Sequence, residues 1–208
     1  MKILSGKLKG RNFYMPAKIS PTQNLVRKAI FDILGDIKGV NFLELFAGSG
    51  AVGLEAFSRG AKTVTLIERD PQCLEVIHEN LRLLDIVHSH GNHGCHKEIA
   101  SSQKALLAMT QTADPLIVIP AEVFLSLKQL ALKNKKYDIV FLDPPFGRGL
   151  GKKALKALCA YDILTPNCFL LIQGEKNEIL PAQEGRFYLI REKKYGASRL
   201  SVYEGRAS

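Results

Sequence analysis

Two short stretches of this chain carry residue types that could do chemistry, and each closes an apolar run. The first is Asp143-Pro144-Pro145-Phe146, which follows Tyr137-Asp138-Ile139-Val140-Phe141-Leu142. Two consecutive prolines stiffen the backbone and remove two N–H donors. The Pro144 carbonyl is then free to accept a hydrogen bond beside the Asp143 carboxylate. An aromatic amine presents two N–H donors, so this pair of acceptors can orient it and aim its lone pair at a methyl donor. Proximity and in-line alignment supply the remaining help. Asp143 can offset positive charge growing on nitrogen, and Phe146 offers a face for a flipped base. Such a transfer needs no metal. Asp-Pro-Pro is also a good loop start, so the second stretch decides between the two readings.

That stretch is Phe46-Ala47-Gly48-Ser49-Gly50. From Gly48 to Gly53 it fits G-x-G-x-x-G, a tight turn that brings backbone close to a ligand at a helix N-terminus. In dinucleotide enzymes that ligand is a pyrophosphate. Here Glu44 lies inside the preceding strand, and a carboxylate repels pyrophosphate but helps hold a cationic amino-acid group, directly or through water. S-adenosylmethionine carries such an ammonium and no phosphate. Glu68 ends the next apolar run, where an acid can bind both ribose hydroxyls. Together the two stretches point to methyl transfer onto the exocyclic amine of a base.

The elements that must position these groups alternate. Strands are expected at residues 41–46, 63–68, 116–119, 137–142 and 168–173, with helices at 50–59, from Pro71 onward, at 121–133 and near 151–161. An earlier helix starts at Ser20-Pro21-Thr22-Gln23, with Ser20 as cap and Gln23 completing a capping box. Val26, Ala29, Ile30, Ile33, Leu34 and Ile37 form its apolar face. Residues 187–192 and 199–203 are expected to pair antiparallel around Gly196. Alternation of this kind implies parallel strands with helices on both faces. Ligands then bind at the carboxyl ends of the strands, where both motifs fall.

With 208 residues and a 46% hydrophobic share, the chain suits one α/β domain. No apolar run is long enough to span a bilayer, and the opening residues lack the apolar core of a secretory signal. Cys73, Cys95, Cys159 and Cys168 show no close-paired spacing, which fits reduced thiols and a cytoplasmic protein. Lys and Arg number 29 against 20 Asp and Glu, a formal net charge of +9. That excess favours a polyanionic partner, because neutralising phosphates releases counterions. Lys7, Lys9 and Arg11 crowd the start, in residues that read as a basic hairpin, and are expected to bind RNA. Lys152, Lys153 and Lys156 follow the Pro-Pro motif, and Lys193, Lys194 and Arg199 lie near the end. Residues 88–113 read as an insertion loop with a weak helix near 98–109. His88, His90, His93, Cys95 and His96 crowd within it, but their spacing fits no standard zinc pattern, so no metal site is assigned.

Read together, these features resemble the RsmD family of bacterial 16S rRNA guanine-N2 methyltransferases. The likeness is carried by the run from Glu44 through Gly53 to Ala61, by Pro21-Thr22 with Val26-Arg27-Lys28-Ala29-Ile30-Phe31, by Tyr195-Gly196 before Arg199-Leu200-Ser201, and by Gly6-Lys7-Leu8-Lys9-Gly10. It spans nearly the whole chain. The resemblance implies a Rossmann-like class I methyltransferase domain over residues 1–208. Its sheet would have seven mostly parallel strands, with a small N-terminal β-hairpin in residues 1–18. It implies S-adenosylmethionine as donor, and as partner the 16S rRNA of the small ribosomal subunit or of its assembly intermediate. No obligate protein partner is implied. By motif match, Glu44, Phe46, Ala47, Gly48, Ser49, Gly50, Glu68 and Arg69 would line the cofactor. Asp143, Pro144, Pro145 and Phe146 would handle the base. Two positions depart from the pattern. Ser20 stands where the family carries Arg, leaving Arg27 to supply an RNA contact. Pro120 stands where it carries an acid or amide facing adenine, with Glu122 two residues on. Three other readings stay open: an adenine-N6 DNA methyltransferase, an RNA-binding assembly factor without catalysis, and a dinucleotide oxidoreductase.

Overall fold

The computed structural model describes residues 1–15, 22–86 and 114–206. The Ser20 cap, the histidine-rich stretch and the helix expected near 98–109 lie outside these residues. Five helices are described: α1 (Thr22–Leu34), α2 (Ala51–Ser58), α3 (Pro71–Leu83), α4 (Val123–Leu132) and α5 (Leu150–Ala160). None of the described helices is long and apolar enough to cross a membrane.

Parallel strands β1 (Asn41–Leu45), β2 (Thr63–Glu68), β3 (Leu116–Pro120), β4 (Tyr137–Leu142) and β5 (Leu164–Glu175) form one half of the sheet. Antiparallel β6 (Gln183–Glu184), β7 (Phe187–Tyr195) and β8 (Ser198–Gly205) complete it. The order is β3-β2-β1-β4-β5-β8-β7-β6. The sheet therefore has eight strands where seven were expected. The extra one is two residues long, too short to leave a pattern in the sequence. Strand β5 begins earlier than expected, at Leu164, which pairs with Tyr137, and the register slips between Tyr137 and Ile139. That irregularity accommodates Pro166, which cannot donate to a ladder.

Alternation along β1 sorts its side chains into two cores. Phe42 packs with Ile30, Phe31, Leu54, Val64 and Leu66 on the face covered by α1, α2 and α3. Leu43 and Leu45 pack with Ile67, Leu127, Leu142 and Leu155 on the face covered by α4 and α5. Glu44 follows Phe42 by two and so points into the first core.

Strand β1 has β2 on one side and β4 on the other, so connections leave in opposite directions at this point. Leu45 pairs with Leu142 across the two strands. The residues that follow them open side by side, which is where open α/β sheets bind ligands.

The N-terminal segment adds no strand to the sheet. Its ends meet in one antiparallel bridge, Lys2 with Asn12. Backbone hydrogen bonds flank that bridge, from the Ile3 N–H to the Arg11 carbonyl (3.0 Å) and from the Phe13 N–H to the Met1 carbonyl (2.9 Å), and α2 holds the segment as well: the Leu4 N–H donates to Glu55 Oε2 (2.7 Å), the Lys7 N–H to the Ser58 carbonyl (2.8 Å), and the Leu8 N–H to Ser58 Oγ (2.9 Å). Gly6 is obligatory there. A Cβ at this residue would stand 1.8 Å from the Ser58 carbonyl oxygen.

Candidate active site

The turn after β1 is built from unusual backbone. Phe46 (φ 57°), Gly48 (φ 56°) and Gly50 (φ 72°) all take left-handed conformations. For Phe46 this costs about 1–3 kcal/mol and persists only where the surroundings fix it. Two carboxylates do the fixing. Glu44 Oε2 accepts from the Gly53 N–H (2.7 Å), inside α2. Glu68 Oε2 accepts from the Gly48 N–H (2.7 Å), while its Oε1 accepts from the N–H groups of Arg69 (2.7 Å) and Asp70 (2.8 Å). A Cβ on Gly53 would lie 2.4 Å from Leu66 Cδ2 and 2.7 Å from Glu44 Oε2. Leu66 and the carboxylate beneath it together crowd the third glycine of the motif.

Burial is what perturbs the acids. It pushes the Glu44 carboxyl up to about 8, against the stabilising N–H groups of Gly53 and Val52, with Asp143 and Glu68 adding repulsion. Burial likewise raises the Asp143 carboxyl to about 7. A carboxyl so placed can exchange a proton near neutral pH.

Two cavities meet over the strand ends. The larger, about 780 Å³, is lined by the glycine turn at Phe46 and Gly48, by Glu68 and Arg69, by Glu122 and Phe124, and by Asp143-Pro144-Pro145-Phe146. The smaller, about 250 Å³, is lined by Glu44, Ala47 and Ser49 together with Met1, Met15, Arg27 and Gln173. Phe46, Gly48, Asp143 and Gln173 border both. Residues from β1, β2, β4 and the turn therefore converge on one place. Gly50 caps α2 there without lining either cavity. Phe146 stands exposed at the mouth.

The remaining expected residues sit elsewhere. Lys7, Lys9 and Arg11 are exposed on the N-terminal segment, away from both cavities. Arg27 is not a surface cation: it is 2% exposed and faces the smaller cavity. Pro120 pairs with Glu68 and lines neither cavity. Glu122 instead caps α4, accepting from the Leu125 N–H (3.0 Å), and borders the larger cavity with Phe124. The larger space also takes Ser198 and Gln173, which sequence reasoning did not single out. Gln173 had a signal: it is the one polar residue in the run Leu170-Leu171-Ile172-Gln173, and it is buried beside Asp143.

The donor set fits a ligand with an adenosyl group, a sugar and an amino-acid end. Glu68 retains acceptor capacity at a strand end, Phe124 offers a ring, and Glu44 presents a carboxyl to the smaller cavity. Among solved structures, a hypothetical protein of Thermus thermophilus, TTHA0928, superposes with a TM-score of 0.73 at 26% identity, covering 97% of this chain and 98% of that one. SMU.776, solved in complex with SAH, shares the fold with a TM-score of 0.61 at 15% identity, over 89% of this chain and 50% of its own. Fold and site define the class: an S-adenosylmethionine-dependent methyltransferase. The Ribosomal RNA small subunit methyltransferase D of Escherichia coli K12 is 30% identical over 210 residues, covering 100% of this chain and 91% of that protein. The same-named protein of Buchnera aphidicola (Acyrthosiphon pisum strain) is 31% identical over 85% of this chain and 78% of its own length. Residues 1–119 and 104–204 match the family described as Conserved hypothetical protein 95, and the chain belongs to that family.

Proposed function

We propose that the protein methylates the exocyclic N2 amine of a guanine in the 16S rRNA of the small ribosomal subunit, with S-adenosylmethionine as donor. The observation that carries this reading is the placement of Asp143 and Pro144 on the border between the glycine turn and the larger cavity. When bound, the donor supplies an electrophilic methyl carbon. The protein's own work is to hold the amine. One N–H meets the Asp143 carboxylate and the other the Pro144 carbonyl, which leaves the nitrogen lone pair directed into the cavity. Asp143, with its carboxyl near 7, then takes up the proton that the methylated amine gives off. Phe146 stacks on the base at the mouth.

The relatives named as small-subunit rRNA methyltransferases support the substrate class. So does the charge around the opening. The turn between β7 and β8 reaches the larger cavity through Ala197 and Ser198, and Lys193, Lys194 and Lys176 stand exposed next to it. Arg148 lines the cavity from the other side. Mass mapping of rRNA from cells lacking the gene tests the assignment. One N2-methylguanine of the small-subunit rRNA should disappear; a complete set of them would overturn it.

A further inference from the structure

Holding the amine leaves one buried polar group beside it without a task. Gln173 stands one residue past the pair Leu142 and Ile172, so it neighbours Asp143 across the β4–β5 ladder. It is 5% exposed and lines both cavities. Leu171, two residues earlier, and Leu200, its partner on β8, both belong to the first core, and neither can pair with an amide. Ser201, the next residue on β8, donates to Glu192 (3.0 Å). Among the described residues nothing hydrogen-bonds the Gln173 side chain. A buried amide that opens only onto a cavity is costly unless a ligand supplies its partners.

An amide side chain presents an acceptor and a donor side by side. The bases differ in what their Watson–Crick edge places next to the amine. Guanine, held by N2, has the N1–H donor next and the O6 acceptor beyond it. Adenine, held by N6, has the bare N1 acceptor next and no polar atom beyond. Cytosine, held by N4, has two acceptors, N3 and O2. Only guanine matches both atoms of the amide, and flipped bases are read on this edge. We infer that the Gln173 amide selects guanine, accepting from N1–H at Oε1 and donating from Nε2 to O6. This inference rests on the function proposed above, and it gives the site a means of rejecting adenine.

Single-turnover methylation of two reconstituted small-subunit particles tests this. One carries guanine at the nucleotide found by mass mapping; the other carries 2-aminopurine there. 2-Aminopurine keeps the amine but lacks N1–H and O6. A site built for two hydrogen bonds is then left unpaired, so the wild-type protein should methylate it at least about 100-fold more slowly. Equal rates would overturn the inference and leave the guanine-N2 reading standing. Methylation of neither particle would remove that reading and this inference with it. In Gln173→Met, which removes both polar atoms at similar length, guanine should react more slowly and the preference should shrink at least about 10-fold. Affinity for S-adenosylhomocysteine should stay within about threefold in calorimetry. A variant with the wild-type melting profile that kept the full preference, whether or not it lost donor binding, would also overturn the inference. The wild-type particle pair decides the matter even where the variant fails to fold.

Discussion

Two basic regions of this protein lie at opposite ends of α2 and use their charge differently. The helix begins at Gly50, beside the cavities. Its last residue, Ser58, receives the Lys7 and Leu8 N–H groups. At that far end Lys7 and Arg11 are engaged by their own chain. Lys7 Nζ sits 3.6 Å from the Phe57 ring centroid, and Arg11 donates to the Leu83 and Leu84 carbonyls and pairs with Asp85 (2.9 Å). At the near end, Lys193 and Lys194 stand exposed on a hairpin whose turn lines the larger cavity, with Lys193 Nζ held more loosely, 5.4 Å from the Tyr195 ring centroid. Clustering in sequence looks alike in both places. Only position separates charge that fastens a segment from charge beside a cavity.

The strongest way to break this contrast is at the site itself. Asp143→Ala should lower single-turnover methylation of small-subunit particles by about 100-fold or more. Affinity for S-adenosylhomocysteine should change by no more than about threefold in calorimetry, since Asp143 only edges the donor cavity. Near-normal turnover would end the amine-holding role. Next comes Gly53→Ala. The added methyl meets Leu66 and displaces Glu44, so thermal stability should fall by about 1–3 kcal/mol and donor binding should weaken with it. The contrast sharpens with RNA. Replacing Lys193 and Lys194 by Ala should reduce the salt slope of RNA binding by about two, one for each phosphate no longer neutralised. Replacing Lys7, Lys9 and Arg11 should flatten it by about one, because Lys7 and Arg11 are already engaged, and should lower the melting temperature by releasing the Arg11 tether. Equal slopes would erase the distinction between the two ends.

The smallest effect is in pH. Glu44 and Asp143 both have carboxyls raised by burial, so the folded protein holds protons that the unfolded chain has released. Their contribution to stability is fully present below the ordinary carboxylate range. It is lost as pH rises through about 7 for Asp143 and about 8 for Glu44. The melting temperature of the ligand-free protein should therefore decline over that window, and Glu44→Gln should shallow the decline. Asp143, Glu68 and Arg27 are the charged groups that face Glu44, so the same scan on the Asp143 variant isolates its share. A flat profile would contradict the burial of these acids. Stabilisation by S-adenosylhomocysteine should move the other way and grow as Glu44 ionises.

Much of this was legible in the residues. The parallel core could be read from apolar runs alternating with helical periodicity. The two motifs fell at adjacent strand ends because parallel topology leaves few other arrangements. What could not be read has physical causes. Arg27 shares the helical face of Ile30 and Phe31 at spacings of three and four, but its charge suggested the surface. The Lys2 carbonyl and the Phe13 ring of the N-terminal segment lie against it. The N-terminal residues read as a hairpin; one bridge with its flanking backbone hydrogen bonds and the contact with α2 together hold them, and they add no strand to the sheet. Glu68 was expected to await a sugar, and it also pins the backbone of the glycine turn, a duty invisible without the fold.

The fit between Gly53 and Glu44 has a consequence for how this protein can diverge. The third residue of α2 and the fourth of β1 behave as a lock and its key. A bulkier residue in the helix presses on the acid and on Leu66 behind it, so neither can stay where it is. Homologues with a larger residue at Gly53 should therefore have drifted at Glu44 and at Leu66 together, and Gly53→Ala paired with Glu44→Ala should relieve the contact with the acid while leaving the one with Leu66.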